Sequence, residues 1–236
     1  MLHLLSKKIS FTLILTVMIL SLQAQIGGRG NYNFKDFNKK SYYFGINIGF
    51  NNSGYKLYQS KFFINNESIQ VTQGASEVGV NMHMVTNLKI GEYFDFRFLP
   101  GFSFAQRGFE FTSVLDNSTY VRKIESVFFE MPFHLRFKSE PYKDKRLFVV
   151  AGLKYSYDVQ TNSKSRKTLL KIAPHDFQYE VGVGIQMFYP YFIFSPEIKF
   201  SRGLGNLLLY DRAQNEAKVL ENVVSQIFTI SFNFEG

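Results

Sequence analysis

Between Phe94 and Ala105 the chain alternates without a break: Phe94, Phe96, Phe98, Pro100, Phe102 and Phe104 take every second place, and Asp95, Arg97, Leu99, Gly101, Ser103 and Ala105 take the places between. Successive side chains of a β-strand point to opposite faces, whereas a helix would wrap these rings around its whole circumference. The stretch therefore reads as one long strand with one aromatic face. It outruns the usual globular strand of roughly 5–6 residues and suits the roughly 9–11 that cross a bilayer at a tilt.

The same period returns along the chain, in YYFGINIGF (42–50), VGVNMHMVTNLKI (78–90), SVFFEMPFHLRFK (126–138), LFVVAGLKYSYD (147–158), DFQYEVGVGIQM (176–187), FIFSPEIKFS (192–201) and QIFTISFNF (226–234). With the Phe94 stretch these make an even set of strands near ten residues each, the signature of an outer-membrane barrel. The second and third, fourth and fifth, and sixth and seventh stretches are joined by short turns around Gly91, Lys143 and Tyr189; the other connections, residues 51–76 among them, are long and polar. In such barrels short turns face the periplasm and long loops the outside, which places both termini in the periplasm. The expected fold is all-β, an eight-stranded antiparallel up-and-down transmembrane β-barrel over residues 42–236.

Ahead of it, Lys7 and Lys8 precede the apolar run ISFTLILTVMILSL and then LQA, the order of a secretory signal peptide, with cleavage expected after Ala24. Leu22 is large for its place before the cut, so an uncleaved anchor is the alternative. Residues 25–41 show no periodicity and read as a flexible periplasmic lead-in. Beyond the amino terminus no apolar run approaches the roughly 18 residues of a transmembrane helix. The chain has no cysteine, which excludes a lipoprotein anchor and a disulfide framework. The net charge of +8 is scattered, with no clustered basic face interleaved with aromatics, so nucleic acid is not an expected partner. The densest basic run, TNSKSRKTLLK (161–171), reads either as a solvated loop or as a surface where Lys164, Arg166, Lys167 and Lys171 touch lipid phosphates.

The two faces cannot exchange roles. An eight-stranded barrel has an interior just wide enough for side chains, and the phenylalanines, 27 in the whole chain, have too much volume to turn inward. The rings must meet lipid, and Gly45, Gly49, Gly79, Gly101, Gly152, Gly182 and Gly184 fall on the crowded inner face. On that face Asp95, Glu130, Glu180 and Glu197 accompany Arg97, His134, Arg136, Lys154 and Lys199. They can form a mutually neutralising lumen network, since an unpaired charge there costs several kcal/mol. A plugged barrel is expected, not a general porin. Pro100, Pro132 and Pro196 interrupt strands that have no free edge, and each should mark a bulge or local opening, either a bend that curves the strand or a gate or docking seam.

No HExxH, no GxSxG and no pair of ligands at metal spacing occurs, and neither GRG (28–30) nor GVG (182–184) opens a helix as a phosphate loop would. A site at the lumen mouth using His83 or His134 with Glu130 is the one enzymatic arrangement to weigh; lumen histidines are more often members of a network. No catalytic, metal or cofactor site is expected.

GEYFDFRFLPGFSFAQRGFEF, ESVFFEMPFHLRFKSE, LFVVAGLKYSYD, DFQYEVGVGIQMFYPYFIFSPEIKFSRGLGNLL and the closing SFNFE resemble the PorT (SprT) proteins of Bacteroidota. The resemblance spans the second to eighth strands and includes all three prolines; residues 51–76 do not align. It implies a non-enzymatic outer-membrane accessory of the type IX secretion system, which exports cargo bearing a carboxy-terminal domain and, in gliding species, adhesins. Its partners would be outer-membrane lipid, lipopolysaccharide included, and other components of that machine, with a role in assembly or stability of the translocon; it carries over no functional residues. The alternatives are a small solute pore and, behind it, a lipid-modifying or proteolytic barrel.

Overall fold

The computed structural model describes residues 32–60, 69–113, 119–160, 171–209 and 220–236. The signal sequence read at 1–24, the first part of the lead-in and the basic stretch 161–170 lie outside them. A short helix, α1 (Tyr32–Asn38), precedes the strands β1 (Tyr42–Gln59), β2 (Ile69–Ile90), β3 (Phe94–Phe98), β4 (Gly101–Ser113), β5 (Thr119–Lys138) and β6 (Lys145–Asp158). There follow β7 (Lys171–Ile172), β8 (His175–Phe188), β9 (Ile193–Gly203), β10 (Leu208–Leu209) and β11 (Leu220–Glu235).

Every long strand pairs antiparallel with the next, and β11 returns to β1 from Gly45↔Glu235 onward, so the sheet closes on itself. Strands β3 and β4 are two halves of one stave, both lying between β2 and β5, which leaves eight staves in an up-and-down ring. Closure removes the unpaired edges that an open sheet would expose to lipid, where a backbone N–H or C=O finds no water. The chain turns tightly at Gly91 (φ 77°) and at Lys143 (φ 53°), both in the left-handed region.

Parity decides which side chains meet the outside. Along β2, Val78, Val80, Met82, Met84, Leu88 and Ile90 are exposed, while Asn81, His83 and Asn87 between them are buried. Phe94, Phe96, Phe102, Phe104, Phe133 and Phe137 likewise point outward. Tyrosines mark both margins of this band: Tyr42, Tyr93, Tyr142, Tyr189 and Tyr191 at the end carrying the tight turns, and the half-buried Tyr179 at the loop end, with Tyr58 and Tyr157 beyond it. From Tyr179 on β8 to Tyr189 just past its end, a rise of ~3.4 Å per residue and a tilt of ~40° give a height of ~26 Å, close to the ~25 Å apolar band of outer-membrane barrels.

Two segments differ from what the sequence leads one to expect. The lead-in is not without structure, because residues 32–38 form α1 and bury Phe34 and Phe37 against Tyr43, Phe188 and Ile193 in the turn-end mouth. The long polar connections are partly strand: β1 runs on to Gln59, β2 begins at Ile69, and β4 and β5 stay paired out to Thr112↔Thr119. Pairing with a neighbour satisfies the backbone there, so these segments need no apolar face. At the loop end β10 pairs with β7, and the Leu207 N–H bonds the Val223 carbonyl of β11.

Candidate functional site

The lumen is the site, and the barrel builds it by sending every second residue of every stave inward. Asp95, Arg97, His134 and Arg136 are 0% exposed, and Glu130, Lys154, Glu180, Glu197 and Lys199 are buried with them. At the turn end Lys138 Nζ bonds Asp95, and Arg136 Nε lies 3.4 Å from the other oxygen of the same carboxylate. Arg136 Nη2 donates to Asn87 (2.8 Å) and to the Tyr43 hydroxyl (3.1 Å). Its guanidinium also sits 4.9 Å above the Phe148 ring.

One step deeper, Arg97 holds three groups at once: Glu197 at 3.2 Å, Glu235 at 2.5 Å and Asn233 Oδ1 at 3.1 Å. Lys199 Nζ lies 3.3 Å from Glu197, and the Ser231 hydroxyl donates to that carboxylate at 3.0 Å. At mid-depth Lys154 Nζ bridges Glu130 (3.3 Å) and Glu180 (3.2 Å). His83 Nε2 is 3.1 Å from Glu130, His134 Nε2 is 2.6 Å from Glu180, and Ser201 donates to Glu180. Nearer the loop end Arg107 stacks over Phe128 (4.3 Å) and Tyr55 (5.1 Å), and Asp176 accepts from Ser225 and Gln178 at 2.6 Å each.

The residues singled out from sequence thus lie in one connected lattice, with acid and base alternating across the bore. Tyr43, Asn47, Asn87 and Asn233 share their parity, as does the cation Lys138, yet nothing in composition marked the first four as neutral bridges. Glu235, which binds Arg97 and lies 3.5 Å from Arg136, falls one place beyond the last alternating stretch and was missed, although the same parity assigns it inward. His83 and His134 are 3% and 0% exposed and each is paired with a carboxylate, His134 with Glu180 instead of Glu130. Among the described residues no group of His, Asp and Glu is placed to hold a metal ion.

None of the prolines marks a bulge, because the pairing keeps step on either side of each. Between Phe98↔Phe133 and Gly101↔Glu130 the ladder lapses opposite Pro132, and between Thr86↔Phe98 and His83↔Gly101 it lapses at Pro100. Leu99 N–H still donates to the Pro132 carbonyl (3.0 Å) and Met84 N–H to the Pro100 carbonyl (2.9 Å). Proline has no N–H with which to return either bond. Pro196 sits in a third gap, where β8 and β9 are unpaired between Gly184↔Glu197 and Met187↔Phe194. These are local openings in register, two of them at the junction of β3 and β4.

The family model described as "Outer membrane protein beta-barrel domain" matches residues 23–209. Solved structures with a similar course include the outer membrane protein OprG from Pseudomonas aeruginosa, 9% identical with a TM-score of 0.46, covering 81% of this chain and 96% of that one. Neisserial surface protein A is 8% identical at 0.43, again over 81% and 96%. The attachment invasion locus protein Ail of Yersinia pestis is 12% identical at 0.38, over 84% and 100%. No curated protein sequence matches the chain. With a matching model over most of its length and a ring of eight antiparallel staves beneath an apolar band, the chain belongs to the outer membrane protein β-barrel domain family and resides in the outer membrane.

Proposed function

We propose that this barrel is a non-enzymatic accessory of the type IX secretion system, of the PorT (SprT) kind, supporting assembly or stability of the machine that exports cargo with carboxy-terminal secretion domains and, where present, gliding adhesins. The observation that carries the reading is the obstructed bore: Lys154 bridges Glu130 and Glu180 across it, and both histidines are spent on those carboxylates. A lumen so filled is too narrow to conduct folded cargo, which supports outer faces, turns and the α1 segment as the places for work done through contact. The specific text FRFLPG and FSPEIKFS, with its prolines, supports the family assignment. On this reading residues 1–24 are the export signal, and the tight turns and both termini face the periplasm.

The test is deletion of the gene in a type IX-competent host. Cargo with carboxy-terminal secretion domains accumulates in the periplasm and returns to the surface on complementation. Normal export in the deletion strain refutes the assignment. Planar-bilayer recording of the purified barrel separates the solute-pore alternative: the filled bore gives a flat trace, and stepwise conductance abolished by altering Glu130 or Arg136 would favour the pore.

A further inference from the structure

The turn-end mouth carries two cations, Lys89 and Arg146, that no carboxylate of the described residues contacts directly. Beneath α1 lies a small cavity walled by Tyr43, Lys89, Lys138, Arg146, Gln186 and Phe188, with no carboxylate among the described residues that line it. Lys138 is answered by Asp95. Neither Lys89 nor Arg146 has an acidic side chain within ion-pair distance among the described residues. Lys89 instead donates to the Phe37 carbonyl and faces the Tyr43 ring at 5.7 Å. Arg146, 3% exposed, bonds the Ser139 and Glu92 carbonyls and lies 5.3 Å from the Phe34 ring. Arg146 is buried and Lys89 half-buried, and buried charges are ordinarily paired, so two cations with no carboxylate in direct contact among the described residues, and only Asp95 and Glu92 acting at longer range, are an anomaly.

We infer that this mouth is a docking site for an acidic, aromatic-bearing peptide segment of a partner protein, and that α1 occupies it as an internal stand-in. The features of α1 define the ligand. Its rings at Phe34 and Phe37 fill the apolar pocket of Phe188 and Ile193, with Phe34 edge-on to Phe188 at 5.1 Å. Its last carbonyls supply partial negative charge where Lys89 waits. A peptide bringing whole carboxylates to Lys89 and Arg146 and a ring to the same pocket makes charge-assisted bonds that a carbonyl cannot match. A lipid phosphate is the weaker candidate, because the cavity lies inside the ring of staves and headgroups gather outside it. Competition with α1 sets the apparent affinity, since only molecules with the mouth uncovered can bind. This site stands whether or not the barrel serves type IX secretion.

The test uses the full chain in lipid nanodiscs and a labelled peptide alternating glutamate and phenylalanine, read by fluorescence anisotropy. Binding is expected to saturate and to weaken with salt, and a peptide with lysine in place of glutamate is expected not to bind. Lys89→Gln with Arg146→Gln is expected to weaken it by about tenfold or more. Phe34→Ala with Phe37→Ala, which loosens α1 and leaves both cationic side chains in place though Arg146 loses the Phe34 ring, is expected to strengthen it several-fold. Heat-modifiable gel mobility certifies that each variant is folded, and Lys89→Gln alone serves if the double variant is not. Equal binding of the two peptides, binding unchanged by charge removal, or no gain on loosening α1 overturns the proposal. Loss of peptide binding when phosphatidylglycerol is added to the nanodisc at constant ionic strength also overturns it, in favour of a lipid headgroup.

Discussion

Arg97 is the residue on which most of the turn-end lattice leans. It is fully buried and holds Glu197, Glu235 and Asn233 together. Removing one partner of a buried ionic set costs roughly 3–5 kcal/mol, mostly through the uncompensated charge left behind. Arg97→Met is therefore expected to lower the urea midpoint of the barrel in lipid vesicles, followed by far-UV circular dichroism because the chain has no tryptophan. Adding Glu235→Gln to that variant, which leaves Glu197 to Lys199 and Asp95 to Arg136, is expected to restore part of the loss; no recovery would show that packing, not charge, set the cost. Gly152 makes a different demand. A Cβ there would lie 2.0 Å from the Phe133 carbonyl oxygen and 2.8 Å from His134 Cδ2, so the backbone itself must move. Gly152→Ala is expected to destabilise by roughly 1–3 kcal/mol in the same assay, as overpacking does. Both positions were legible as inward by parity alone. What parity could not supply is partner choice, such as His134 with Glu180, because that depends on the stagger between neighbouring staves and not on either stave's sequence.

At the scale of elements, the eight staves were readable because burial on one side repeats with period two, and α1 was not because a seven-residue helix is too short to show a period of its own. It exists for tertiary reasons: two rings have a pocket to enter. The extensions of β1, β2, β4 and β5 were hidden likewise, since beyond the membrane band neither face needs to be apolar. The prolines were visible at once, but their consequence required the register. At Leu99 and Pro132 the ladder is half made, with the Leu99 N–H donating and no proline N–H to answer its carbonyl. Pro132→Ala supplies the missing donor. A net hydrogen bond is worth about 1 kcal/mol, so the variant is expected to be more stable by about that amount and to slow amide exchange at Leu99 and its neighbours. Unchanged exchange would show that the seam does not open at the proline. If the seam serves a partner, the same variant is expected to reduce complex recovery while the isolated barrel gains stability.

For the whole molecule, orientation is the quantity from which location and role both follow. Outward apolar residues are tolerable only under lipid, and the tyrosines at the two margins set where the lipid ends. The position of that boundary can be read by placing one charge at different heights. Val183 is outward on β8 and 57% exposed, midway between Tyr179 and Tyr189, paired with Val149 and Ile198. Asn52 is outward on β1, just past Phe50, where the exposed side chains turn polar toward Lys56. An arginine at the bilayer midplane of such a barrel costs roughly 2–4 kcal/mol, and one near the interface roughly 0–1. Val183→Arg is therefore expected to destabilise the barrel in vesicles by the larger amount and Asn52→Arg by the smaller. Equal costs would mean that the band does not lie between the tyrosine margins. A larger cost at Asn52 would invert the sidedness of the staves, and with it the reason for a lumen filled by ions in place of rings.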